Sequence, residues 1–216
     1  MAVRIFDTLR KRVEDSNGLL PQEKRAMFWF RNYSVELQRW QNKNNKRTFS
    51  QLTESDAAKV LIPPKAIRPG YLYFFMYQPY YASKLEYYDR LPLTLVLDVD
   101  QTGFLALNLH YLPYRVRAAF FDLLYSTRLV KRKDPLKTRI AVTYKLLEAV
   151  SKYKAFRPCL KRYTFKQCRS AVMLIGESEW DIAMFLPVER FVKATRTEVW
   201  NDSVRNLNEI GEAEIE

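Results

Sequence analysis

LTLVLDVDQTGFLALNLH, residues 93–110, is the stretch that decides the fold class. Leu93, Leu95, Leu97 and Val99 alternate with Thr94, Val96, Asp98 and Asp100. After the turn, Leu105, Leu107 and Leu109 alternate with Phe104, Ala106, Asn108 and His110. A repeat of two is the signature of a strand that lays one face on a core. Asp100-Gln101-Thr102-Gly103 supplies turn chemistry between the two runs, with Gly103 able to take a positive φ. The stretch reads as an antiparallel hairpin, Leu93 to Val99 and Phe104 to His110, each strand with one core face.

Upstream, YLYFFMYQ (71–78) reads as a strand from its aromatic content. Both of its faces are apolar, which predicts cover on both sides. Before it, helices are expected over Val3–Glu14 and Pro21–Gln41, the second with Pro21 at its first position and Gln22 and Glu23 in its first turn. The polar run 41–47 is a loop, a short helix covers Glu54–Val60, and Pro63-Pro64 and Pro69-Gly70 interrupt the chain. Downstream, Pro113 opens a helix over Arg115–Tyr125. Asp134-Pro135 caps another, Leu136–Tyr153, which Pro158 ends. Strands are expected at Ala171–Ile175 and Ile182–Leu186, and a helix at Val188–Ala194. The fold class is therefore α+β: a small antiparallel sheet with a central hairpin at about 93–110, packed by helices. Residues 1–64 read as a helical N-terminal arm, 65–205 as the core domain and 206–216 as an acidic tail.

Composition bounds the function classes. The chain has 216 residues, 48% hydrophobic and 14% aromatic, enough for a packed core and too aromatic for disorder. With only 5 Gly, phosphate-cradling glycine loops are scarce, and neither nucleotide-binding glycine motif occurs. Cys159 and Cys168 fit neither a CxxC nor a zinc spacing, and read as free thiols in a reducing compartment. No apolar run approaches the roughly 18 residues needed to span a bilayer, and Met1–Arg12 has no apolar leader core. A cytosolic protein with no membrane partner and no cofactor is expected.

Charge points further. Lys and Arg number 36 against 24 Asp and Glu, a net charge of +12. Between Arg128 and Arg169 lie 14 basic and 2 acidic residues, so this segment carries the whole excess and the remainder is neutral. A general solubilising charge does not require such segregation. The candidate contacts are Lys131, Arg132, Lys133, Lys137, Arg139, Lys152, Lys154, Arg157, Lys161, Arg162, Lys166 and Arg169, interleaved near the end with Tyr163 and Phe165. Basic groups interleaved with aromatics suit phosphate contact plus base stacking, without sequence-specific readout. An acidic protein partner in an assembly satisfies the same charges. The tyrosines at 71, 73, 77, 80, 81, 87 and 88 exceed the needs of a modest core and suit an interface.

Catalytic patterns are sparse, and an enzyme is not expected. Asp98 and Asp100, two apart on a strand, share a face where paired carboxylates hold Mg²⁺ in many nucleases. No Glu-x-Lys follows them, and the plain reading is solvated acids entering a turn. His110 is the one histidine, which with the poorly spaced cysteines removes zinc sites of the usual composition and leaves it the polar end of a strand, or a contact to phosphate or a partner.

Four stretches together carry a family resemblance: GYLYFFMYQPYYASKLEYYDRLPLTLVLD (70–98), GFLALNLHYLPYRVRAAFFDLL (103–124), YKAFRPCLKRYTFKQCRS (153–170) and WDIAMFLPVERFVKATRTEVWNDS (180–203). Over residues 65–205 the chain resembles a virion protein of T-even-like contractile-tailed bacteriophages, of the DNA end protector or head-completion group. The resemblance implies a protein made in the host cytoplasm that joins the packaged DNA end at the head portal, then stays in the virion. There it shields the terminus from host exonucleases. It implies DNA, bound without sequence specificity and at ends, and other phage structural proteins as partners. No catalytic residue carries over. A neck or baseplate subunit with acidic protein partners, and a metal-dependent nuclease using Asp98 and Asp100, remain the alternatives.

Overall fold

The computed structural model describes residues 5–15, 24, 61–128, 158–176, 179–185 and 189–213. In chain order these form α1 (Ile5–Glu14), β1 (Leu61–Ile62), β2 (Leu72–Phe74), β3 (Tyr88–Asp89), β4 (Leu93–Val99), β5 (Gly103–Asn108), α2 (Tyr114–Arg128), β6 (Leu160–Thr164), β7 (Val172–Ile175), α3 (Trp180–Met184), β8 (Phe191–Val192) and α4 (Arg196–Ala213). Six strands make one antiparallel sheet in the order β1-β7-β2-β4-β5-β6, and β3 pairs with β8 beside it. The α+β class with a central hairpin is what the alternation at 93–110 predicts. The helices expected over 54–60 and 136–153, and all but residue 24 of the one expected over 21–41, lie outside the described residues.

The sheet is covered on both faces, and the expectation of one core face per hairpin strand is corrected. Leu72, Phe74, Leu93, Leu95, Leu97 and Leu107 pack one way, against Ala118, Phe121 and Leu124 of α2, Ile182, Ala183 and Met184 of α3, and Phe6 of α1. Tyr73, Phe75, Tyr77, Val96, Phe104, Ala106, Tyr163 and Val172 pack the other way with Ile67. The second cluster is closed by the β6–β7 connection, which crosses that end of the sheet: Cys168 bridges Tyr77, Gln78 N donates to Gln167 O (3.1 Å) and Arg169 N to Met76 O (2.8 Å). A bulge at Leu97 shifts the register, since Val96 pairs with Ala106 but Asp98 with Leu105. Beyond it Val99 joins the second cluster instead of continuing the Leu93-Leu95-Leu97 row, because one inserted residue swaps the faces.

Several other expectations change. β5 ends at Asn108. Leu109–Tyr111 is a 3₁₀ turn that Asn108 caps by accepting from His110 N (3.0 Å). Ile182 and its neighbours are helical, in α3, not a strand. Trp180, Ile182, Ala183 and Met184 are all buried, and a short run that is apolar all round carries no period to separate the two. Phe191–Val192, expected in a helix, instead pair with Tyr88–Asp89, and Lys193 follows in the left-handed region at φ 72°. Gly103 does not have a positive φ; Gly70 does, at 79°. Gly103 is there because a Cβ would meet Tyr163 O of β6 at 2.0 Å.

Two features seat the helices. The Asp122 carboxylate of α2 accepts from Phe6 N (2.9 Å) and Asp7 N (3.0 Å), so a buried side chain from another helix satisfies the first amides of α1 and faces its positive end. α4 opens with a capping box: Glu198 Oε2 accepts from Thr195 N (2.7 Å) and Thr195 Oγ1, and Glu198 N donates to Thr195 Oγ1. Trp200 of α4 then donates from Nε1 to His110 O (2.8 Å), clamping the 3₁₀ turn.

Candidate functional site

Four of the twelve basic candidates lie among the described residues, and all four are on β6 or the turn that follows it. Arg162, Lys166 and Arg169 are exposed and Lys161 is half-buried. Lys131, Arg132, Lys133, Lys137, Arg139, Lys152, Lys154 and Arg157 lie outside the described residues. β6 was not expected as a strand. LKRYT has no apolar alternation, and only its pairing with β5 makes it one: Phe104 opposite Tyr163, Ala106 opposite Lys161. It is an end strand of the sheet, so its basic side chains also discourage a second chain from adding there.

Beside β6 opens a cleft of about 190 Å³. Tyr77, Tyr87, Tyr88, Tyr111 and Tyr163 supply aromatic lining, Pro79 and Leu85 come from the connection before β3, and Asp89, Lys161 and Arg162 are its charged residues. The Lys161 ammonium sits 4.4 Å from the Tyr111 ring centroid, a cation–π contact. Burial pushes its pKa down, and no carboxylate lies within ion-pair distance of it among the described residues. Arg162, by contrast, is paired with the Asp100 carboxylate and donates to Thr102 Oγ1 (2.9 Å). Sequence reasoning missed Tyr87, Tyr88, Asp89 and Tyr111 as a group with Lys161. The surplus of tyrosine between 71 and 88 was the available signal.

A buried polar network lies behind this cleft. Asp89 Oδ2 accepts from Asn108 Nδ2 (3.0 Å) and lies 2.8 Å from His110 Nδ1, while Asp89 Oδ1 accepts from Leu91 N (3.0 Å). Asn108 Nδ2 also donates to Tyr163 OH (3.1 Å). Burial raises the Asp89 pKa, but attraction to His110 and the hydrogen bonds outweigh it, so the net shift is downward. His110 is fully buried, which corrects its reading as a strand end or phosphate contact. It holds the 3₁₀ turn against β3.

A second buried pair lies nearby. Arg117 of α2 is fully buried and donates to Glu189 Oε1 (2.8 Å), Met184 O (3.1 Å) and Leu112 O (3.2 Å). Burial raises the Glu189 pKa, but the Arg117 charge and its hydrogen bond, with the other interactions around it, outweigh this, for a net downward shift. Both Asp89 and Glu189 thus titrate lower in the folded chain than in the unfolded one. Their contribution is fully present above their ordinary values of 3.8 and 4.5 and is lost as pH falls through the folded values. The expected result is a urea midpoint that holds steady down to about pH 5 and then drops with further acidification. Asp89→Asn should flatten that drop, and an unchanged slope would rule Asp89 out as a contributor.

Asp98 and Asp100 do not form a paired site. Asp100 Oδ1 accepts from Thr102 N (2.7 Å), Thr102 Oγ1 (2.8 Å) and Gly103 N (2.9 Å), its other oxygen pairs with Arg162, and Arg162 and these turn bonds hold its pKa well below the usual carboxylate range. Asp98 Oδ1 accepts from Val99 N instead (2.9 Å), and no group of three potential metal ligands occurs among the described residues. Among the described residues neither Cys159 nor Cys168 takes part in a disulfide. Burial pushes both thiols up to about 12, which leaves them poor nucleophiles near neutral pH. Among the described residues no helix is long and apolar enough to cross a membrane.

The cleft thus sets aromatic side chains beside a basic strand. A family model described as "Phage T4 terminal DNA protecting protein" matches residues 9–203. No curated protein and no solved structure showed significant similarity to the chain.

Proposed function

The chain belongs to the phage T4 terminal DNA protecting protein family, and from that membership we propose that it covers the end of packaged phage DNA with the face built around β6. The observation that carries the reading is charge segregation. The whole net charge of +12 falls between Arg128 and Arg169, and four of its described basic residues lie on β6, an end strand of the sheet, and on the stretch after it. Lys166 sits on the turn after β6, Arg169 just beyond it and Lys161 at the cleft, with Arg162 between them paired to Asp100. Phosphate contacts of this kind bind DNA without reading sequence. Exonucleases need a free terminus, so occupying it suffices and no chemistry is required of the chain. The site of action in this reading is the head–tail junction, reached during assembly in the host cytoplasm and kept in the virion, with other phage structural proteins as neighbours.

The test is binding across a salt series to linear and covalently closed circular DNA, with an exonuclease challenge. About six phosphate contacts correspond to a slope of log K against log salt of roughly −5. The double variant Lys166→Glu, Arg169→Glu should reduce the steepness by about 2. Linear DNA should resist the exonuclease when the wild type is bound. A slope near zero, or no DNA binding at low salt, would overturn the reading in favour of a structural subunit with acidic protein partners.

A further inference from the structure

We propose that the tyrosine-lined cleft beside β6 takes up the unstacked base of the terminal nucleotide of a DNA strand, with Lys161 on that nucleotide's phosphate. This deepens the reading of the chain as a DNA-end binder and rests on it. The phosphate contacts described above are present all along a duplex, so they do not distinguish an end from the middle. The cleft does. Its volume of about 190 Å³ accommodates one flat heteroaromatic ring and is far too small for a stacked base pair. A base inside a duplex must be unpaired and unstacked on both sides before it enters such a space, whereas a terminal base has one stacking neighbour fewer. Size alone thus makes the cleft selective for ends.

Its chemistry matches the occupant. Tyr87 and Tyr88, both half-buried, offer ring surface to a base of any identity, and Tyr111 lies behind them under Lys161. Burial has already weakened the hydration of the Lys161 ammonium, and Lys161 lacks a carboxylate partner among the described residues. It is therefore the one cation of the cleft ready to meet a phosphate, since Arg162 is held by Asp100. The wall continues into a second aromatic step. On the connection that supplies Pro79 and Leu85, Tyr80 and Tyr81 are 76% and 59% exposed, edge to face at 4.8 Å, with Lys84 over the Tyr81 ring at 5.4 Å. Two exposed tyrosines with a cation beside them suit the next base along the same strand. That connection is pinned: Lys193 Nζ donates to Ser83 O and Leu85 O, each at 2.8 Å. The backbone just after the two rings is thus held in place before any DNA arrives.

The experiment uses the full chain and a DNA duplex carrying 2-aminopurine either at its terminal position or at an internal one. Binding should change the fluorescence of the terminal probe and leave the internal probe unaffected. Lys161→Met keeps the stem over Tyr111 and removes the charge, and Tyr88→Leu removes a half-buried ring. Tyr88→Leu should lower the preference for linear over circular DNA by about 5- to 150-fold, the loss of one base–aromatic stack, with affinity for circular DNA within about two-fold of wild type, and Lys161→Met should weaken linear binding more than circular binding. The fluorescence measurement needs no variant, so a misfolded mutant does not spoil the test. No change at the terminal probe while the wild type still protects linear DNA would overturn the cleft assignment alone. So would variants that weaken linear and circular binding equally. A wild type that binds no DNA would overturn the underlying reading as well.

Discussion

Arg117→Met is expected to cost about 3–5 kcal/mol of folding stability, because it strands a carboxylate in the interior. Glu189 is held by Arg117 at 2.8 Å with both side chains essentially out of contact with solvent, and the second cation near it, Arg196, is 3.8 Å away and half-exposed. Removing the guanidinium also takes the donors from Leu112 O and Met184 O, which tie α2 to the 3₁₀ turn and to α3. Ring contact with Tyr114, 5.0 Å from the guanidinium carbon, goes with them. Out of a typical domain stability of about 5–15 kcal/mol this is a large share. Urea denaturation of the purified variant reads it directly. The double variant Arg117→Met, Glu189→Gln should recover a substantial part, because it removes the stranded charge along with the lost pair. A single-variant loss below about 1 kcal/mol would mean that the pair is not the buried anchor its geometry indicates.

Gly103→Ala is expected to be the most damaging single-methyl change in the sheet. The added Cβ would lie 2.0 Å from Tyr163 O, 2.9 Å from Thr164 Cα and 3.0 Å from Tyr163 C. All three are backbone atoms of β6 and its end, so no side chain can swing aside. β5 and β6 must separate where Gly103 pairs with Thr164 and Phe104 with Tyr163, and where the Phe104 and Tyr163 rings stack at 5.3 Å. Overpacking of this kind costs about 1–3 kcal/mol and more where the backbone must move, or roughly 6–12 °C in melting temperature at the upper end for a chain of this size. Because β6 carries Lys161 and Tyr163 into the cleft, exonuclease protection should fall further than stability does at a temperature where the variant is still folded. A melting temperature within 2 °C or so of wild type would show that β6 yields easily, and the close-approach argument would fail.

The hairpin was legible because its evidence is local. Alternation at 93–110 and the Asp100–Gly103 turn need no knowledge of the rest of the chain, and the helix after Pro113 and the strand at 172–175 were readable for the same reason. The failures are local patterns that a distant partner overrode. LKRYT at 160–164 shows no element of its own until β5 is beside it, and Phe191–Val192 is extended because Tyr88–Asp89 pairs with it. α4 left a cue that went unread, the Thr195-x-x-Glu198 capping box. Asp122 as the cap of α1 left none, because its partners Phe6 and Asp7 are more than a hundred residues away.

The candidate site divides the same way. Sequence by itself determined the α+β class, the central hairpin, the surplus of tyrosine and the concentration of positive charge between Arg128 and Arg169, since each is a property of composition or of neighbours along the chain. Tertiary structure alone decided that Lys161 lies over Tyr111 beside Tyr87 and Tyr88, that Arg162 is neutralised by Asp100, and that His110 is sealed against Asp89. Charge can be counted without a fold. Whether a charge is spent on a neighbour or left facing a cleft depends on distances between residues that only the folded sheet brings together.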